Sequence, residues 1–579
     1  MMPVFFSPIP LDPNRYFCNM NRVLHLLRLL AVCSTALSAL ACSTSKQADL
    51  LVFNATIYTV DSAFSTAEAM VVNDGRIIAT GNAADLRGRY ETKETLDAGG
   101  RFIYPGFIDA HAHFMGYADG LRNADLTGTG SWDEILERLE LFAKDHPDGW
   151  LLGRGWDQND WPGKQFPDNK KLNELFPGRP ILLTRVDGHA AIASQAALDL
   201  AGLRAGDRIA GGEINILEPM IGSAETGPKT LSGLLVDNAV RLVSSKMPAA
   251  SREEMKKSVS IAEKNCFAMG LTTIDDCGLT VDAVNGITEM QQAGLLKMRL
   301  YVMLSDDPRS LDYMEKNGIL ETERLTVRGI KLYGDGALGS RGASLLAPYS
   351  DKPGYLGFLL SQPAHFDSAA ARIYAKGYQM CTHAIGDSGN RTILKIYASH
   401  LKGKNDLRWR IEHAQVINPA DFDLFGQNSI VPSVQPTHAT SDMYWAETRL
   451  GGERVKGAYA YQQLLKQNGW LPLGTDFPVE DISPFRTFYA AVARKDGSGY
   501  PTGGYQVENA LTREQAIRGM TIWAARANFE ETKKGSLESG KYADFVILDK
   551  DLMKSPEASL LETTVWMTWL NGEKVFEKK

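Results

Sequence analysis

The sequence predicts an α/β protein in which a TIM-like (β/α)8 barrel is inserted into a small β-sandwich built from both ends of the chain. Three observations lead to this prediction. Short strand-like runs bounded by turn residues occur at both ends, strand and helix patterns alternate through the middle, and reactive polar side chains follow several of the middle strands. Such alternation is typical of a parallel barrel, whose reactive groups lie at the carboxyl ends of strands.

Both ends of the chain carry the pattern of a small sheet. Residues 48–104 hold β-type runs at 50–53, 56–60, 69–72 and 76–79, separated by turn residues. Residues 531–579 hold runs at 543–549, 565–570 and 573–576, with Asn571-Gly572 as a hairpin turn. We therefore predict one sandwich from both segments, with residues 105–530 between them as the barrel and its insertions.

The middle of the chain alternates strand and helix. Amphipathic stretches at 252–269 and 369–376 lie between short apolar β runs. We assign the barrel strands to the runs at 181–183, 272–274, 299–302, 329–333, 379–382, 410–411, 430–434 and 471–473.

Composition excludes several classes of protein. Hydrophobic residues at 44% and charged residues at 23% are typical of a globular chain. The formal net charge of -7, without long runs of one sign, argues against a nucleic-acid partner, so we expect a small-molecule substrate. Beyond residue 42 the cysteines are Cys266, Cys277 and Cys381, which form neither a disulfide framework nor a paired-cysteine zinc site.

The first 42 residues have the pattern of a bacterial export signal. Positive charge at 22–28 precedes a short apolar run at 29–41, and Met20 begins a conventional signal, so we take Met20 as the true start. The end of the run resembles a lipobox, although Ala39 replaces the usual leucine. We predict that Cys42 is lipidated and anchors an exported protein on the periplasmic side of a bacterial membrane. The alternatives are a plain cleaved signal or a weak transmembrane anchor, although the run is shorter than the ~20 residues that a span needs.

Two histidines directly after an apolar run are the strongest local signal of chemistry. His111 and His113 end the segment Pro-Gly-Phe-Ile-Asp-Ala-His-Ala-His at 105–113. Alternate residues of a strand point to the same side, so both imidazoles can reach one metal ion.

This segment, together with the divided sheet around it, resembles the amidohydrolase superfamily, and specifically the branch that includes N-substituted formamide deformylases. The resemblance covers nearly all of the chain after the signal. Its motifs lie in order at 105–113, 153–157, 185–189, 330–337, 383–387, 411–415 and 474–479.

The resemblance implies six ligands for one or two divalent metal ions, with zinc the expected metal: His111, His113, Lys331, His383, His413 and Asp476. Neutral imidazole and carboxylate groups suit zinc, whereas an ammonium cannot be a ligand, so Lys331 would have to be carboxylated to bridge two ions. The alternatives are a core histidine at His383, a Lys331 paired with Asp335, and an Asp476 that only caps the following segment.

Three further residues are candidates for the substrate pocket. The resemblance implies that His189 polarises the substrate carbonyl or stabilises the oxyanion, with a structural hydrogen bond as the alternative. Trp156 and His438 are predicted pocket walls. The glycines at 334–339 fit a dinucleotide-binding pattern, but no clear helix follows them, and we interpret them as a tight loop over the metal centre.

Together these features predict metal-dependent hydrolysis of a non-peptide carbon–nitrogen bond, amide or formamide-like, by activated water. Asp476 is the predicted proton carrier as well as a metal ligand. One alternative is a mononuclear, deaminase-like site with unmodified Lys331. The other is a catalytically dead, lipid-anchored binding protein, against which the complete set of ligand residues argues.

The export prediction can be tested at Cys42. Cys42→Ser should release the protein from the membrane fraction, because no lipid could then be attached, whereas the control Cys33→Ser should stay bound. Fractionation and mass spectrometry of the amino-terminal peptide provide the measurement. Unchanged fractionation of Cys42→Ser, with no acyl mass on the wild-type peptide, would favour a cleaved signal or another anchor.

Overall fold

The computed structural model describes residues 45–217, 230–248 and 251–579, together with Met1, Pro3, Ser7 and Pro8. Cys42 and the apolar run of the predicted signal lie outside the described residues. In the described ranges no helix has the length and apolar character needed to cross a membrane. The described chain forms a sandwich, an inserted sheet and a barrel.

Both ends of the chain build the predicted sandwich. One sheet has four amino-terminal strands, in the order Arg76–Gly81, Ala69–Asn73, Lys46–Phe53 and Tyr90–Asp97. The other combines both ends, in the order Glu573–Glu577, Val565–Leu570, Phe545–Leu548, Phe102–Pro105, Thr56–Tyr58 and Thr66–Ala67. Val52 and Val72 of the first sheet share one apolar core with Ile103 and Phe545 of the second, which confirms the predicted architecture.

Seven parallel strands form the barrel wall, and their order around the wall is their order along the chain. They are β1 (Phe107–Ala112), β2 (Leu271–Leu279), β3 (Arg299–Ser305), β4 (Leu325–Tyr333), β5 (Gln379–Ala384), β6 (Arg410–His413) and β7 (Val431–Ser433). A two-residue strand, Leu320–Glu321, pairs antiparallel with β4.

Residues 471–476 close the barrel between β7 and β1, in the eighth position. The N–H of Gly474 donates to the carbonyl of Val434 after β7, and the N–H of Ala110 in β1 donates to the carbonyl of Leu473. A side chain at Gly474 would place its Cβ 2.5 Å from the His111 nitrogen, so only glycine permits this approach. The predicted eighth strand is therefore a short closing segment.

One predicted barrel strand was wrong. The run at 181–183 belongs to a separate six-stranded sheet inserted between β1 and β2, where Ile181–Arg185 pairs with Leu151–Trp156 and Ala190–Ala193. The strand order of this sheet is Gly212–Ile216, Leu231–Asp237, Ala190–Ala193, Ile181–Arg185, Leu151–Trp156 and Ala124–Asp125. The first barrel strand is Phe107–Ala112, which carries His111 in agreement with the family resemblance.

Helices cover the outside of the barrel and the inserted sheet. The stretch predicted at 252–269 is the helix Arg252–Ala268, which begins with a Ser251–Glu254 capping box. The α-helices are Ala83–Arg89, Phe114–Gly120, Trp132–Asp145, Lys170–Leu175, Gln195–Ala201, Asn238–Ser244, Arg252–Ala268, Val281–Gln292, Pro308–Asn317, Pro363–Ala375, Asp387–Leu401, Phe422–Gln427, Pro436–Asp442, Ala446–Arg454, Tyr461–Asn468, Pro484–Ala493, Arg513–Gly519 and Ile522–Ala527.

A buried ion pair joins the barrel to the sandwich. Arg299 of β3 donates from Nε to Asp544 Oδ2 at 2.7 Å and from Nη2 to Asp544 Oδ1 at 3.1 Å. Asp544 directly precedes the strand Phe545–Leu548, and it also accepts a hydrogen bond from the Asn571 N–H. Removal of one member would leave a buried charge without its partner, which is costly.

Asp544→Ala should therefore lower the free energy of unfolding by about 3–5 kcal/mol, because Arg299 would stay buried and unpaired. Lys297→Ala is the control, since its ion pair with Glu573 spans the same two units but is exposed, and its loss should cost at most about 1 kcal/mol. Chemical denaturation of both variants provides the measurement. Equal losses would contradict the importance of the buried pair.

Candidate metal centre

Six predicted metal ligands lie on the barrel towards the carboxyl ends of its strands. Parallel strands bring these ends to one rim, so their side chains can converge there. The predicted ligands are His111 in β1, His113 directly after β1, Lys331 in β4, His383 in β5, His413 at the end of β6 and Asp476 in the closing segment.

Asp476 lies between the two histidines from the first strand. Its Oδ1 is 3.3 Å from His113 Nε2 and 3.5 Å from His111 Nε2. The ligand atoms of His111, His413 and Asp476 all lie within 4.8 Å of one another. The ring of His383 is beside them, with its centroid 4.6 Å from that of His413. These five residues, far apart in sequence, therefore form one cluster.

Lys331 reaches the same cluster from β4. Its Nζ lies 3.3 Å from His111 Nε2, and the residue is only 1% exposed. Among the described residues it has no ion pair with Asp335, whose carboxylate accepts three backbone N–H groups instead. An ammonium offers only donors, so Lys331 can bind metal only after modification.

Oxygen atoms fix the orientation of three histidine rings. The pairs are His111 Nδ1 with Glu412 Oε2 at 2.5 Å, His113 Nδ1 with the Cys277 carbonyl at 3.0 Å, and His413 Nδ1 with Gln435 Oε1 at 2.7 Å. Each partner holds the proton on Nδ1 and leaves Nε2 as a lone pair. Sequence reasoning missed Glu412 and Gln435, although a glutamate inside a buried strand always needs such a partner.

The protonation states of the cluster suit a metal ion. Burial is the main cause that lowers the pKa of His383 and His413 well below the usual value, so both rings stay neutral. Burial alone would raise the pKa of Asp476, but His111 and His113 hold it well below its usual range. Its Oδ1 is buried, and none of the described groups donates a hydrogen bond to it. Neutral imidazoles around an ionised carboxylate are a donor set that fits a divalent metal.

His189 and Asp237 form a pair at the edge of this cluster. His189 Nδ1 lies 2.6 Å from Asp237 Oδ1, and the His189 ring centroid is 5.0 Å from that of His383. Burial opposes protonation of His189, but the Asp237 carboxylate outweighs it and raises the pKa of the imidazole. Asp237 ends the strand Leu231–Asp237 of the inserted sheet and was not predicted.

The glycine-rich loop after β4 makes room for Asp237. A Cβ at Gly336 or Gly342 would lie 2.5 or 2.3 Å from Asp237 Oδ2, closer than real side chains approach. Asp237 itself has a φ of 52°, which costs a non-glycine residue about 1–3 kcal/mol. The glycine pattern therefore accommodates a carboxylate of the same chain.

The Amidohydrolase family model matches residues 94–576. The chain belongs to the amidohydrolase family. The protein LONG AFTER FAR-RED 3 of Arabidopsis thaliana is 33% identical over 90% of this chain and 91% of its own length. N-substituted formamide deformylase of Arthrobacter pascens is 26% identical over 92% of this chain and 98% of its own length. The crystal structure of an uncharacterized metal-dependent hydrolase from Pyrococcus horikoshii OT3 is 26% identical, with a TM-score of 0.69, and covers 88% of this chain and 99% of that one.

The two predicted pocket walls of this amidohydrolase lie in different places. His438 lines the cavity, with its Nε2 3.5 Å from Asp476 Oδ2. Trp156 is fully buried outside the cavity, where its Nε1 donates to the carbonyl of Leu183. A β-bulge at Gly155, with a φ of 112°, interrupts the alternation of side chains and turns Trp156 into the core of the inserted sheet.

Two adjoining lobes form the cavity, and both open onto His189, His383, His413 and Asp476. The lobe that we name acidic is also lined by Asp157, Asp160, Asp187, Arg185, Asp442 and Glu480. The lobe that we name the arginine lobe is also lined by His113, Arg154, Asp187, Lys331 and Tyr333. Burial raises the pKa of Asp160 to about 6 and that of Asp442 to about 7.

Glu412→Gln should weaken zinc binding by roughly 10–100-fold, because the amide no longer holds the His111 proton on Nδ1 as strongly. Competition with a chelator measures the affinity. Glu263→Gln is the matched control, since Glu263 is a half-buried acid whose carboxylate accepts the N–H groups of Lys297 and Met298, away from the cluster. Wild-type affinity in Glu412→Gln would show that this contact does not support the metal centre.

Proposed function

We propose that this amidohydrolase uses zinc to hydrolyse the amide or formamide bond of a small molecule. The observation that carries the proposal is the convergence of His111, His413 and Asp476, whose ligand atoms lie within 4.8 Å at the barrel rim. The 26% identity to an N-substituted formamide deformylase over nearly the whole of both chains supports the choice of bond.

The predicted ligands divide into two sets, one for each of two ions. His111, His113 and Asp476 would hold the first ion, and His383 and His413 the second. Bound zinc would polarise a carbonyl and lower the pKa of a water molecule towards ~7.

Carboxylation of Lys331 would bridge both ions. Its Nζ is 3.3 Å from His111 Nε2, which supports this role. In the mononuclear, deaminase-like alternative, Lys331 stays an unmodified ammonium, which cannot be a metal ligand. Two zinc ions per chain and a 44 Da mass increase on the Lys331 peptide would separate the first case from the second.

Asp476 is placed to move protons. Its ionised carboxylate has one buried oxygen without a hydrogen-bond donor, and the other lies 3.5 Å from His438 Nε2. We assign to it the acceptance of a proton from the attacking water and its delivery to the departing nitrogen.

His189 is placed to act on the substrate carbonyl. The 2.6 Å contact with Asp237 holds the Nδ1 proton and fixes the ring against the cavity wall. A protonated ring can donate from Nε2 to the carbonyl oxygen, whose negative charge grows in the transition state.

The proposal predicts that chelation abolishes release of amine from N-formyl, N-acyl or cyclic amides, and that zinc restores it. Asp476→Asn, loaded with zinc, should lose at least ~10²–10⁴-fold in kcat at saturating substrate, because a carbonyl oxygen can still ligate but the base is gone. Asp119→Asn, an exposed change outside the cavity, is the control. Full activity in protein shown by elemental analysis to be metal-free would overturn the proposal.

A further inference from the structure

We infer that the substrate carries a carboxylate close to the bond that is cleaved, and that Arg154 binds this carboxylate. The inference rests on the proposed function and names its substrate class. Three features of the cavity support it. They are the guanidinium of Arg154, which has no ion pair within the described ranges, the position of that group beside the metal cluster, and the excess of negative charge in the acidic lobe.

Arg154 is a cationic side chain with unused donors. Its Nη2 donates to the carbonyl of Val186 at 3.1 Å, while its Nε is buried and has no hydrogen-bond partner among the described residues. Within the described ranges it forms no ion pair with a carboxylate. Arg185, on the neighbouring strand, forms ion pairs with both Asp157 and Asp187. The two arginines of this wall therefore differ in whether a carboxylate of the chain neutralises them.

Two acids, Asp187 and Asp476, also line the arginine lobe, and neither forms an ion pair with Arg154 within the described ranges. Asp187 lines the cavity between the two arginines, but its Oδ2 contacts Arg185 Nη1 at 2.5 Å and its Oδ1 accepts the His189 N–H at 2.9 Å. Arg154 therefore keeps N–H groups free for a group that enters from the cavity. A guanidinium matches a carboxylate with two parallel hydrogen bonds, and it is the side chain best suited to this anion.

The position of Arg154 places that anion beside the reacting bond. The arginine lobe opens onto His383, His413 and Asp476, so one small molecule can touch both the guanidinium and the metal cluster.

The acidic lobe disfavours a second position for the anion. Asp157 and Asp187 share the single charge of Arg185, which leaves an excess of negative charge there. Glu480 adds to it, because its partner is the neutral hydroxyl of Ser441. A substrate carboxylate is therefore directed to Arg154, and the other end of the molecule, in the acidic lobe, is neutral or cationic.

Two matched substrate pairs test the inference with the zinc-loaded full chain. N-formylglycine and N-formylglycinamide differ only in a carboxylate on the amine side, and formate release is measured. N-methylsuccinamate and its primary amide differ only in a carboxylate on the acyl side, and methylamine release is measured. The acid that is cleaved more rapidly than its neutral partner shows on which side of the scissile bond Arg154 binds the carboxylate.

Arg154→Gln should lower kcat/KM for the preferred acid by roughly 10–100-fold, as expected for hydrogen bonds to a charged group, and should change that for its neutral partner less than about threefold. Arg154→Lys should recover part of the loss, because the charge remains but the paired geometry does not. Arg138→Gln, an exposed change on the inserted unit, is the control and should behave as wild type.

The outcomes separate this inference from the proposed function. Zinc-dependent cleavage that prefers the neutral partners, or an equal loss on acid and neutral partner in Arg154→Gln, would overturn the inference and leave the function intact. Should none of the four compounds be cleaved, calorimetric titration of zinc-loaded protein with each acid decides the inference by itself. Acids that bind Arg154→Gln as tightly as wild type would then overturn it, and at least tenfold weaker binding would support it.

Discussion

The closure of the barrel by residues 471–476 is the constraint on which the candidate metal centre depends. The Asp476 N–H donates to the carbonyl of His111 at 2.8 Å, so the hydrogen bond that seals the wall also brings the carboxylate to the histidines of the first strand. Thr475 strengthens this seam, because its backbone N–H and its hydroxyl both donate to the buried carboxylate of Asp109, at 2.9 and 2.7 Å. The hydrogen bonds that close the barrel therefore also set the position of Asp476 relative to His111.

The second constraint is the need to satisfy polar groups in a dry interior. Three imidazoles, an ammonium and several carboxylates are buried at one rim, and an unpaired group there costs free energy. Glu412, Gln435 and Asp237 meet this need, and each also selects which ring nitrogen faces the cavity. In the part of the chain that the structure describes, Asp476 Oδ1 and Arg154 Nε stay without such partners. Their locations, at the metal cluster and in the arginine lobe, are where a metal and a substrate would supply the missing contacts.

Features recorded in short local motifs could be predicted from the sequence, whereas contacts between residues far apart in the chain could not. The ligand set was implied by the family resemblance, whose short motifs are local in sequence and can be recognised one by one. Glu412 was missed because its partner His111 is 301 positions away, and no local pattern records which buried acid meets which imidazole. The run at 181–183 was assigned to the wrong sheet because strand patterns do not encode pairing partners. Trp156 was predicted as a pocket wall, but the bulge at Gly155, which no local pattern records, turns its side chain into the core of the inserted sheet.

The shared sheet of the sandwich has a consequence for biosynthesis. Phe102–Pro105 lies between Thr56–Tyr58, which emerges early from the ribosome, and Phe545–Leu548, which emerges near the end. Until then the edge of Phe102–Pro105 has no partner, and an open strand edge readily pairs with other chains. The nascent polypeptide therefore exposes an unpaired strand edge, which can pair with other chains, throughout synthesis of the barrel.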